Sequence, residues 1–152
     1  MEYKTILVPI DGSEGSAAAV RTAVELAREL QASLEFLHVV NLDGAFLQSA
    51  GECKRKSHSV LEDAVDAGKQ ILNHALDCTP DGLTAKGHCI SGDDAAQTIL
   101  DSAERIAADL IIIGSRGIGG FKAAVLGSVS GYVLSHANCP VVVVKAEKKS
   151  QQ

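Results

Sequence analysis

The sequence contains no tryptophan, one methionine, and only two tyrosines and three phenylalanines, so aromatic residues make up 3% of its 152 positions. A flavin needs aromatic faces to lie against, and only Phe121 stands in the chain's most glycine-rich segment. A flavodoxin-like electron carrier is therefore disfavoured. Fourteen Lys and Arg against nineteen Asp and Glu leave a net charge of −5. The basic residues are scattered apart from the tail residues Lys145, Lys148 and Lys149, so the sequence offers no nucleic-acid face. No apolar run approaches the ~20 residues of a membrane span, and the N-terminus MEYKTILVPID lacks a signal-peptide layout. These features predict a cytoplasmic protein with no membrane partner.

Cys53, Cys78, Cys89 and Cys139 form no C-x-x-C pair, and the five histidines show no ligand spacing. Reduced, mostly buried thiols and no metal site are expected. What is abundant is alanine, valine, isoleucine and leucine, in a chain 46% hydrophobic and 22% charged. That balance suits helices packed on a buried sheet.

Along the chain, apolar runs alternate with helical periods. Strands are predicted at residues 3–10 (YKTILVPI), 33–40 (SLEFLHVV), 84–90, 110–113 (LIII) and Val141–Val144. The first helix spans about 16–30, capped by Ser13 or Ser16, with Ala17, Val20, Val24 and Ala27 on its apolar face. A second runs over about 57–76, lined by Leu61, Val65, Gly68, Leu72 and Ala75. A third starts at Ser91 or Asp93, with Asp94 near its positive end and Ala96, Ile99, Leu100, Ala103 and Ile106 inward. A fourth follows from Ser128 to His136. Residues 41–56 make a longer connection than βα loops usually need. Continuous apolar strands separated by helices predict an α/β domain over residues 1–146, with a doubly wound five-stranded parallel sheet and helices on both faces. The polar tail 147–152 is expected to be disordered.

The segment GSRGIGGFKAAVLGS, residues 114–128, carries five glycines in fifteen positions. It is not a Walker loop, because Gly120 and Phe121 stand where Lys and Ser/Thr belong. Nor is it the dinucleotide motif, because Lys122 occupies the third glycine position. What remains is Gly114-x2-Gly117-x9-Gly127-Ser128, leading from a strand into a helix. Gly114 and Gly117 would bend the main chain, and Gly127 would let a phosphate touch the helix N-terminus, where unpaired amides favour anions. Ser128 and Ser130 would add hydroxyls, Arg116 charge, and Lys122 weaker charge. On residues alone, the loop equally suits a tight turn, with Ser128 as an ordinary N-cap.

VPIDGSEGS, FLHVV, DLIIIGSRG and LGSVSGYVLSHANCPVVVVK, in this order, resemble the universal stress protein family over nearly the full chain. The pattern G-x2-G-x9-G-S/T of its ATP-binding members is matched without departure. The resemblance implies an adenine nucleotide alpha hydrolase-like, Rossmann-like sheet of order 3-2-1-4-5, and ATP, AMP or ADP as ligand, with Mg2+ accompanying ATP. It implies that Asp11 holds the nucleoside, although Asp11 also suits an Asx turn ahead of Gly12. It further implies that Pro9, Ile10, Val39 and Ile113 shape the adenine pocket. Gly114, Arg116, Gly117, Gly127, Ser128, Val129 and Ser130 would form the phosphate and ribose segment. In this family the last strand, here Val141–Val144, pairs antiparallel with its copy, so a homodimer of stress or regulatory type is implied, with a regulatory protein partner left open. An enzyme on the same scaffold is the alternative, by weak ATP hydrolysis or nucleotidyl transfer. The loop DGSEGS, however, matches neither the H-x-G-H nor the S-G-G-x-D-S signature of such enzymes.

Overall fold

The computed structural model describes residues 2–42, 54–116 and 126–146. The elements in chain order are β1 (Thr5–Pro9), α1 (Glu14–Leu30), β2 (Ser33–Asn41), α2 (Lys54–Asp77), β3 (Ala85–Gly92), α3 (Ala95–Arg105), β4 (Leu110–Gly114), α4 (Ser128–His136) and β5 (Val141–Val144). The five strands form one sheet of order β3-β2-β1-β4-β5, with every neighbouring pair parallel. The predicted architecture and strand order are those observed. β1 and β4 lie side by side, and the winding direction reverses between them. Crevices at the carboxyl ends of such strands are where doubly wound sheets bind ligands.

The two faces of the sheet bury separate cores. Ile6, Val8, Leu34, Phe36 and Ile112 pack with α1 and α2, whereas Leu7, Leu37, Ile111 and Ile113 pack with α3 and α4. Alternate residues of one strand thus serve opposite faces, which is why the central strands read as continuous apolar runs. Each such side chain taken from water contributes about 1.5–3 kcal/mol.

Of the predicted α1 face, Val20, Val24 and Ala27 point inward and Ala17 does not. Gly15, Ser16, Ala18, Ala19, Val20, Ala23 and Ala27 are buried, while Ala17 is exposed. With alanine and serine so frequent there, size does not distinguish the inner from the outer side, and the strands beneath decide. Ser13 is the N-cap, its hydroxyl oxygen accepting from the Ser16 amide at 3.2 Å. For α3 the cap is Asp94, one residue past the predicted start, accepting from Gln97 at 3.1 Å.

At the amino end of the sheet Asp109 fixes the alignment of the two middle strands. Its Oδ2 accepts from the amides of Lys4 and Thr5, each at 2.9 Å, while its own amide donates to the Thr5 carbonyl. Hydrogen bonds to a charged acceptor contribute about 1.5–3 kcal/mol. The register they set determines which residues of β1 and β4 emerge together at the opposite, carboxyl end.

Candidate functional site

β1 ends at Pro9, and the next two residues turn over the carboxyl edge of the sheet. Ile10 donates to the Leu37 carbonyl at 2.8 Å and stays buried. Asp11 is half-buried and accepts the Ser13 amide on Oδ1 at 2.9 Å, forming an Asx turn. Gly12 follows with φ +83°, a left-handed conformation that side chains resist. The turn hypothesis for Asp11 is thus realised. It does not compete with a binding role, since the turn itself holds the carboxylate at the β1 exit.

The β4 exit lies against this turn. A Cβ on Gly114 would stand 2.6 Å from the carbonyl carbon of Gly15, and a Cβ on Gly15 would collide with the Arg116 carbonyl oxygen. Only two glycines allow the first turn of α1 and the start of the glycine loop to meet backbone on backbone. Ser115 donates to the Val144 carbonyl at 2.8 Å, which ties the same loop to the end of β5.

The far arm of the loop returns to the same point. The Ser115 carbonyl accepts the Gly127 amide at 2.7 Å and lies 3.0 Å from the Ser130 hydroxyl, which also reaches the Gly127 carbonyl at 3.1 Å. Gly127, not Ser128, is the N-cap of α4, and no side chain caps that helix. Ser128 is its first helical residue and is exposed. Among the described residues, no side chain caps the first-turn amides of α4, which emerge beside Ser115, an arrangement suited to an anion.

Of the predicted residues, Asp11, Gly114, Arg116, Gly127 and Ser128 surround the β1/β4 exit. Ser130 is buried, and its hydroxyl faces the Ser115 and Gly127 carbonyls, so it closes the loop from within. Ile10 packs in the α1/α2 core, whereas Val39, Ile113 and Val129 pack on the α3/α4 side. These side chains flank the site from opposite faces of the sheet, with Pro9 buried between them. Gly117 and Lys122 lie outside the described residues, as do residues 43–53 of the long connection and the tail from 147 onward. Two residues near the site were not singled out as functional: Gly15, visible only as a glycine at a helix start, and His38, whose ring reaches the Ile10 carbonyl at 2.9 Å.

Neither Cys89 nor Cys139 supplies an activated nucleophile. Burial pushes the Cys89 thiol up, against an opposing effect of Lys69, and burial and the Asp109 carboxylate push Cys139 up. Raised thiols stay protonated and unreactive at neutral pH. Cys89 and Cys139 are half-buried and Cys78 is exposed, less enclosed than expected; Cys53 is outside the described residues. Among the described residues, no three His, Cys, Asp or Glu side chains gather to share a metal ion. No described helix is long and apolar enough to cross a membrane. A cleft of about 130 Å³ between α3 and α4 lies at the amino end of the sheet, lined by Leu100, Ala103 and Cys139 among others. It holds none of the predicted residues and is below the ~300 Å³ at which small-molecule pockets begin.

Comparison with known proteins identifies the family. The sequence matches the universal stress protein family over residues 2–145. It is 36% identical over 148 residues to a universal stress protein of Bacillus subtilis, covering 94% of this chain and 99% of that one. A universal stress protein of Methanocaldococcus jannaschii is 33% identical, covering 97% of this chain and 85% of the relative. Among solved structures, a universal stress protein of Lactobacillus plantarum superposes with a TM-score of 0.75 at 30% identity, covering 95% and 99% of the two chains. More distant structures, each 20% identical, share the fold: a family protein of Arabidopsis thaliana with AMP bound (TM-score 0.70, covering 95% and 92%) and a universal stress protein in complex with cAMP (0.62, covering 97% and 100%). By sequence and by fold, this chain belongs to the universal stress protein family.

Proposed function

We propose that the chain is an adenine-nucleotide-binding universal stress protein that uses the nucleotide as a regulatory ligand rather than a substrate. The observation that carries this reading is the N-terminus of α4, which no described side chain caps, held by Gly127 and Ser115 next to the Asp11 turn. Phosphates would lie on the α4 amides with Arg116 at hand, and Asp11 would accept hydrogen bonds from the nucleoside, at the winding reversal between β1 and β4. Gly117 belongs to the same cradle in this reading. The AMP and cAMP complexes of the distant family structures support adenine as the base. With ATP, Mg2+ would enter on the phosphate oxygens and require no dedicated protein cage.

Regulation fits better than turnover because, among the described residues, no nucleophile is paired with a base at the site. Phosphoryl transfer would have to rest on positioning and charge alone. The test is to purify the protein, release bound small molecules by denaturation and chromatograph them, then follow ATP turnover by the apoprotein. An adenine nucleotide in the extract with negligible turnover is the expected outcome. Rapid ATP hydrolysis without a partner would overturn the regulatory reading.

The homodimer belongs to the same proposal. β5 pairs with β4 through carbonyls of Pro140 and Val144, so by strand alternation Val141 and Val143 turn their amides and carbonyls away from the sheet. All four valines remain half-buried. Such an edge invites a second copy across a two-fold axis. Val143→Pro removes one outward amide and no bond to β4. Sedimentation should show the wild type as a dimer and this variant as a monomer; a monomeric wild type would contradict the assembly.

A further inference from the structure

We propose that His38 is a positioning residue of the nucleotide site, acting through the Ile10 carbonyl; this rests on the nucleotide reading above. His38 follows Leu34 and Phe36 along the α1/α2 face of β2, a polar side chain continuing an apolar row. Its register partner on β3 is Cys89, and Gly68 of α2 lies over both. A Cβ on Gly68 would stand 2.5 Å from the imidazole Cδ2 and 3.2 Å from the Cys89 sulfur. The ring is therefore wedged between helix and strand, with little freedom to turn.

What the wedge achieves is seen at the other edge of the ring. The β1 ladder with β2 ends at the pair Pro9 and Leu37, and the Ile10 amide adds one more bond to Leu37. The Ile10 carbonyl, one step further, lies 2.9 Å from His38 Nδ1. A carbonyl only accepts, so Nδ1 carries the proton and donates. That bond sets the plane of the peptide joining Ile10 to Asp11. The Asx turn fixes Asp11 relative to Ser13, and His38 fixes it relative to the sheet. Without the imidazole, the peptide can rotate and carry the Asp11 carboxylate away from the phosphate cradle.

The test compares His38→Ala, His38→Asn and His38→Gln by titration calorimetry with ATP and with AMP, alongside thermal melts. The Asn amide nitrogen can occupy the place of Nδ1, and the Gln nitrogen that of Nε2. With one part-buried hydrogen bond lost, His38→Ala should bind about tenfold more weakly. His38→Asn should recover to within about threefold of wild type, while His38→Gln stays at the alanine level. A role in packing alone would reverse that order, because Gln fills more of the imidazole volume. Gly68→Ala should weaken binding by pressing on the ring. Equal affinities for the Asn and Gln variants would overturn the inference, and the pair decides even where His38→Ala fails to fold. A wild-type protein that binds neither nucleotide would instead remove the nucleotide reading, and this inference with it.

Discussion

Gly15→Ala is expected to lower the stability of the folded protein by about 3 kcal/mol, near the upper end for overpacking, and Tm by roughly 6–12 °C. The added methyl would be driven into the Arg116 carbonyl oxygen, a backbone atom with no rotamer to escape into. Relief requires α1 to lift from the β4 exit, against the buried contacts of Ala18, Ala19 and Ala23 with the sheet. Gly131→Ala is the matched control. That glycine lies within α4, and among the described residues its Cβ would meet only Leu126, at an ordinary 3.7 Å. There alanine should be neutral or gain up to about 1 kcal/mol from helix propensity. Chemical denaturation of both variants settles the point, and a Gly15→Ala protein as stable as wild type would show that α1 and the loop do not press together as described.

The second large effect concerns Gly127. Its φ of −61° and ψ of 157° suit any residue, so the reason for glycine is the space around it. A Cβ would stand 3.1 Å from the Ser115 carbonyl oxygen and 3.3 Å from the Ser130 hydroxyl, the two groups that close the loop. The fold can yield by a few tenths of an ångström, so Gly127→Ala should cost only about 1 kcal/mol, the scale of an N-cap change. The binding geometry has less tolerance, because the Ser115 carbonyl and the first amides of α4 move together. At an ATP concentration a hundred times the wild-type Kd, the wild type gains about 2.7 kcal/mol. Gly127→Ala should gain less than about 1 kcal/mol under the same conditions. Full retention of the ATP effect would place the phosphates elsewhere.

These two glycines also show what could be read from the sequence. All nine described elements are legible in the alternation of apolar runs and helical periods, most plainly the central strands β1 and β4, which are buried on both faces. The order of the strands is less local. It required the family resemblance, since periodicity says nothing about which strand lies beside which. Gly114 and Gly127 could be picked out because they fall at fixed spacing in one segment. Gly15 could not, because its neighbour Arg116 is a hundred residues away in sequence and the clash exists only once β1 and β4 are adjacent. Ala17 was misplaced because an alanine-rich helix has a weak phase. His38 read as one histidine among five, and its bond to Ile10 depends on the β1 and β2 register.

Ser128 and Ser130 illustrate the same boundary at the site itself. As sequence, both are hydroxyls at a helix start. In the fold, Ser128 is exposed at the mouth and Ser130 is turned inward to brace the Ser115 carbonyl. One hydroxyl stays open to solvent and the other braces the loop.

The most direct test of the nucleotide reading is the thermal melt of nucleotide-free protein with ATP, AMP, cAMP, FMN or no addition. A ligand at a hundred times its Kd adds about 2.7 kcal/mol, or roughly 5–10 °C for a chain of this size. At least one adenine nucleotide should produce that rise and FMN should not. No rise with any of the three adenine nucleotides would contradict the account.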